Sequence, residues 1–232
     1  MIEKYFMLGV RFKWTCPAAD PGKTKDGSII DNPHRAPSPM IYDGLDGQLY
    51  NLSAPHVSTL GLRMRMSIPY SWLVYAHGHT TRLNVTGGDV LTGPMSGCLI
   101  TVWTDQGRRY VGHVGTVESS ETVNQKVKST FANAMPQNTT GFNPANAWSF
   151  GEIAQKMSKI TPGPSAKIMA LVTANNQFYS ILMFKLGVGQ NEWCVGGCKK
   201  VAPMTSQAIK SNLLPRGSLS DGVAFGGPKF IR

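Results

Sequence analysis

Two residue types in this chain are placed where they can do covalent chemistry: Cys98, which ends the run Met95-Ser96-Gly97-Cys98, and His113, fifteen positions later in Tyr110-Val111-Gly112-His113. A thiol is a weak nucleophile until it loses its proton, and a neighbouring imidazole can take that proton. The pair therefore points to thiol chemistry at a carbonyl or amide carbon. Gly97 and Ser96 sit at the approach to the sulfur. A glycine there permits backbone conformations that other residues resist and lets a substrate come close, and amides near Cys98 are placed to meet a developing oxyanion.

The elements around the pair decide whether it can meet. Residues 98–104 and 108–114 are rich in β-favouring residues on either side of Asp105-Gln106-Gly107, which predicts a hairpin. Closed around Asp105 and Gln106, that hairpin sets Cys98 nearly opposite His113 on one face, within hydrogen-bond reach. A slip of one residue would put the two side chains on opposite faces. With an imidazole beside it, Cys98 is expected to have a depressed pKa and to react faster than Cys16, Cys194 and Cys198.

Alternation over the first 16 residues predicts a strand with Phe6, Leu8, Val10, Phe12 and Trp14 on its apolar face. Residues 17–55, dense in Pro, Gly, Asp and Ser, read as a long loop. Two strands are expected over 57–76, broken at Pro69, and an approach segment over 90–96, broken at Pro94. Val123, Val127 and Phe131 at intervals of four predict an amphipathic helix within 118–134. Ser149-Phe150-Gly151-Glu152 has capping-box spacing and opens a helix to about Met157. Residues 166–173 and 178–186 form an apolar hairpin pattern, and 205–213 a last short helix. Strands outnumber helices without strict alternation. The expected fold is α+β, a mainly antiparallel β-sandwich flanked by helices, in a single domain over 1–232.

Composition bounds the partners. The chain has 232 residues, 41% of them hydrophobic, and a formal charge of +10 spread in pairs such as Arg63/Arg65, Arg108/Arg109 and Lys199/Lys200. With no basic block or nucleic-acid motif, nucleic acid is not the partner this charge suggests. No run reaches the length of a membrane span, and no cleavable signal pattern opens the sequence. Four scattered cysteines suit a thiol-containing working form in a reducing compartment. Cys194, Cys198, His77 and His79 offer an alternative zinc set of loose spacing. No cofactor or metal is expected for the Cys98 chemistry. Trp14, Trp72, Trp103, Trp148 and Trp193 are expected mainly in the core.

The Met95-Ser96-Gly97-Cys98 segment resembles the Leu-Ser-Gly-Cys element of the bacterial glutamine deamidase toxins, the cytotoxic necrotizing factors and Burkholderia lethal factor. The resemblance covers about residues 88–116, with Met95 in place of the usual leucine. It implies a β-sandwich flanked by helices, a Cys98 nucleophile, His113 as acid and base, and Thr92 as the residue that positions the histidine. Asp89, Asp105 and Glu118 are near enough in sequence to serve in place of Thr92. By family analogy the target is a glutamine on a host protein, a GTPase or a translation factor. The protein would be secreted or translocated by a bacterium and act in the host cytosol. Transamidation or papain-like proteolysis would use the same pair. A non-catalytic basic binding module is the alternative of another class.

Overall fold

A computed structural model describes residues 1–33, 37–45, 67–160, 165–187 and 191–214. The strands are β1 (Val10–Lys13), β2 (Ile29–Asp31), β3 (Met40–Leu45), β4 (Ser67–Ile68), β5 (Ser71–Leu73), β6 (Thr80–Asn84), β7 (Val90–Met95), β8 (Leu99–Asp105), β9 (Arg108–Val114), β10 (Thr140–Phe142), β11 (Ser165–Val172), β12 (Phe178–Leu186) and β13 (Glu192–Val201). The helices are α1 (Glu121–Ala134), α2 (Phe150–Met157) and α3 (Ser206–Leu213). An eight-stranded sheet runs β4-β3-β1-β13-β12-β11-β7-β5, and a five-stranded sheet runs β10-β8-β9-β6-β2. Both are mixed: β5 pairs with β7 and β2 with β6 in parallel, and the other pairs are antiparallel. The fold is α+β, a sandwich-like single domain flanked by helices. No helix among the described residues is long and apolar enough to cross a membrane.

Alternation builds the core between the sheets. Val90, Ala170, Val172 and Phe178 of the larger sheet meet Ile100, Val102, Val111 and Phe142 of the smaller one. Each of these Val, Ile and Phe side chains stabilises the fold by about 1.5–3 kcal/mol when fully buried. The residues between them point the other way: Leu99, Trp103 and Val114 pack against Val127 and Phe131 of α1 and Ile209 of α3. Ser120, Ser149 and Thr205 cap the three helices through the backbone N–H of Val123, Glu152 and Ala208. All five tryptophans are buried.

Several sequence expectations change here. The N-terminal segment is a 3₁₀ turn (Ile2–Tyr5) followed by β1, not one strand. Its apolar residues still face inward: Phe6, Val10, Phe12 and Trp14 are buried. The 17–55 segment contains β2 and β3; its residues 34–36 and 46–55 lie outside the described residues, as do 57–66 with Arg63 and Arg65. Pro94 does not end its strand. β7 continues to Met95, with Pro94 at a register shift between the Ile168 and Ala170 pairings and past the last β5 partner, Thr92. A residue without an N–H is tolerated at such a bulge.

Candidate active site

The β8–β9 hairpin closes on Gln106 and Gly107, both at positive φ (48° and 72°), the two-residue turn whose twist matches its strands. Closure one residue later than the sequence expectation moves the register by two. Ile100, not Cys98, pairs with His113. Cys98 lies two residues before Ile100 and so keeps the face of His113, toward the core between the sheets, on the diagonal. The face was legible in the sequence; the opposition was not.

Thr92 reaches the histidine from the other sheet. Its Oγ1 lies 2.7 Å from His113 Nδ1, and both residues are fully buried. In the tautomer with the proton on Nδ1, that N–H donates to Thr92 and leaves the Nε2 lone pair as a base. Nε2 is buried and has no hydrogen-bond partner among the described residues. The direct Cys98–His113 hydrogen bond expected from the sequence is therefore not formed in this structure. The thiol instead meets Thr116, Sγ to Oγ1 3.6 Å.

Burial dominates the electrostatics. With only desolvation acting, the His113 pKa falls from 6.5 to about 3, so the ring is neutral at pH 7. Burial also pushes the Cys98 thiol up, against the opposing pull of the Thr116 hydroxyl, the Thr116 and Gly97 backbone N–H groups and Lys128. The depressed thiol pKa expected from sequence is thus reversed, because Cys98 is 3% exposed and its imidazole neighbour carries no charge.

Tyr75 and Thr116, which sequence reasoning did not single out, complete the cluster. The Tyr75 ring stacks on His113 with centroids 5.0 Å apart at 15°, and lies 4.8 Å from the His77 ring on its other contact. Its hydroxyl donates to the Thr116 carbonyl. No spacing signal in the sequence marks either residue, since Tyr75 lies in the connection between β5 and β6, far from the motif in sequence, and Thr116 matters only in the observed register.

Other candidates have different tasks. Asp89 is buried and accepts from the backbone N–H of Ile2 (2.7 Å) and Ala174 (2.8 Å), so it fastens the N-terminal turn. Asp105 and Glu118 are exposed. Ser96 is half-buried and Gly97 exposed, on the connection between β7 and β8. Gly97 is not at positive φ, and a Cβ there would meet only Thr116 Oγ1, at 3.9 Å, so this backbone does not require glycine. Cys194 and Cys198 lie within β13 rather than beside a turn, while His77 and His79 precede β6. His79 binds the 24–28 segment, accepting from Lys25 N–H at Nε2 (3.2 Å) with Ser28 Oγ 3.0 Å from Nδ1. Among the described residues no group of three or more His, Cys, Asp or Glu is gathered to hold a metal.

Comparison with protein-family models, with curated proteins and with solved structures found no match to this chain. The site itself combines a thiol, a neutral imidazole on the same strand face, and a hydroxyl in contact with that imidazole.

Proposed function

We propose that the protein is a cysteine-dependent glutamine deamidase acting on a protein substrate, with Cys98 as nucleophile, His113 as acid and base, and Thr92 as the residue that orients His113. The observation that carries the reading is the 2.7 Å contact between Thr92 Oγ1 and His113 Nδ1 across the two sheets, which leaves a buried Nε2 with no partner among the described residues, on the strand face that Cys98 shares. The reading requires the Cys98 side chain, which meets Thr116 in this structure, to turn toward that lone pair.

His113 Nε2 takes the thiol proton, and the sulfur attacks the glutamine amide carbon. As the C–N bond breaks, the imidazolium returns that proton to the departing ammonia. The same nitrogen then takes a proton from water, whose oxygen attacks the thioester; the C–S bond breaks and the proton goes back to Cys98. Glutamine and water become glutamate and ammonia. The motif at 95–98 and the position of Thr92 support placing this chemistry with the deamidase toxins, as a translocated effector with a host-protein target. Selection of one protein would come from the loops around Cys98, since a glutamine side chain alone offers too few contacts.

The test is incubation with host-cell lysate and mass spectrometry for Gln-to-Glu conversion, wild type against Cys98→Ser. Conversion that depends on Cys98 supports the reading. Amine incorporation or chain cleavage in its place assigns transamidation or proteolysis to the pair, and no Cys98-dependent change overturns all three. One observation favours a non-catalytic basic module instead: Cys98 and His113 are 3% and 0% exposed, as residues of a packed core are. A steep salt dependence of binding to an anionic partner, unaffected by Cys98→Ser, would establish that alternative.

A further inference from the structure

The Cys98 sulfur has a partner that proton transfer to His113 does not use. Thr116 lies just beyond the end of β9, with Oγ1 3.6 Å from Sγ. Tyr75 ties this group to the base: its hydroxyl donates to the Thr116 carbonyl while its ring stacks on His113. One connected pair of residues thus touches the thiol at one end and the imidazole at the other.

Such a cluster matters little to a neutral thiol, which is a weak donor and a weak acceptor. It matters for the anion, because hydrogen bonds to a charged acceptor are about twice as strong as neutral ones. The surroundings make that difference necessary: His113 is buried, so an imidazolium is a poor counter-ion to rely on. The Thr116 hydroxyl, a fixed donor that needs no protonation, shares the charge left on sulfur.

Resting on the deamidase reading of this site, we propose that Thr116 is a further catalytic residue, whose hydroxyl holds the Cys98 thiolate, and that Tyr75 is the positioning residue that keeps Thr116 in register with His113. The proton leaves Sγ for His113 Nε2, and the negative charge left on sulfur is met by Thr116 Oγ1–H. When the S–C bond forms, that charge moves to the substrate oxygen and the Thr116 contact is released.

The test is ultraviolet titration of the thiolate on the full chain, read as the difference between each protein and the same protein carrying Cys98→Ser. Thr116→Val should raise the Cys98 midpoint by about one pH unit, the loss of one hydrogen bond to a charged acceptor. Thr116→Ser should restore it, and Tyr75→Phe should produce a smaller shift of the same sign. If Thr116→Val does not fold, Thr116→Ala removes the same hydroxyl and carries the same expectation. A folded Thr116 variant without the hydroxyl and with an unchanged midpoint overturns the proposal, as does failure of serine to restore it. No substrate enters this titration. An unchanged midpoint in a protein that still converts glutamine removes Thr116 and leaves the deamidase, whereas a Thr116-dependent midpoint without any conversion removes the deamidase and leaves the thiolate contact.

Discussion

Buried, neutral His113 makes the fold acid-sensitive in a way that can be assigned to one residue. Its pKa is about 3 in the folded protein against an ordinary 6.5. Between those values the unfolded chain binds a proton that the folded protein refuses, so stability present above pH 6.5 is lost as the pH falls toward 3. Going from pH 7 to 4.5, this single group should remove about 2–3 kcal/mol, at roughly 1.4 kcal/mol for each pH unit below 6.5. His113→Gln keeps an amide to face Thr92 and cannot be protonated in this range. The assay is denaturant unfolding followed by tryptophan fluorescence, since all five indoles are buried. Both proteins are measured at both pH values and the double difference is taken. His77, whose pKa is also lowered chiefly by burial, contributes equally to both proteins and cancels. A wild type and a His113→Gln protein that lose the same stability on acidification would refute the claim that His113 is held neutral by its surroundings.

Removing the hydroxyl that orients the base should cost rate and not binding: Thr92→Val is expected to lower kcat for glutamine conversion roughly 10–100-fold, the value of one strong hydrogen bond, with KM little changed. An unaltered kcat would separate Thr92 from the reaction. Gly115 is held between two backbone segments, donating its N–H to the His79 carbonyl (2.9 Å) and accepting from Gly78 N–H (2.9 Å). A Cβ there would sit 2.2 Å from the Ala76 carbonyl oxygen and 2.8 Å from that of His79. Gly115→Ala should therefore destabilise the protein by about 1–3 kcal/mol, as overpacking does, in the same denaturant assay; a change under about 0.5 kcal/mol would show that the turn can move aside.

The local elements were legible because local physics sets them. Ser120 and Ser149 cap the helices their spacing announces, and the Val123, Val127, Phe131 stripe turns Val127 and Phe131 into the core. The paired apolar runs at Ser165–Val172 and Phe178–Leu186 form the hairpin that their composition predicts. Even the shared face of Cys98 and His113 follows from the two-residue period of a strand. What sequence alone left undetermined depends on neighbours far along the chain. The turn closes on Gln106 and Gly107, and that one-residue choice decides that Cys98 sits diagonal to His113 and beside Thr116. The meeting of Thr92 with His113 needs the packing of two sheets, and the stacking of Tyr75 needs the connection from β5 of one sheet to β6 of the other. The reversal of the thiol's expected pKa has the same origin. A Cys and a His brought onto one face by a predicted hairpin suggest an activated thiolate, but desolvation is a property of everything packed around them, and only the tertiary structure supplies it.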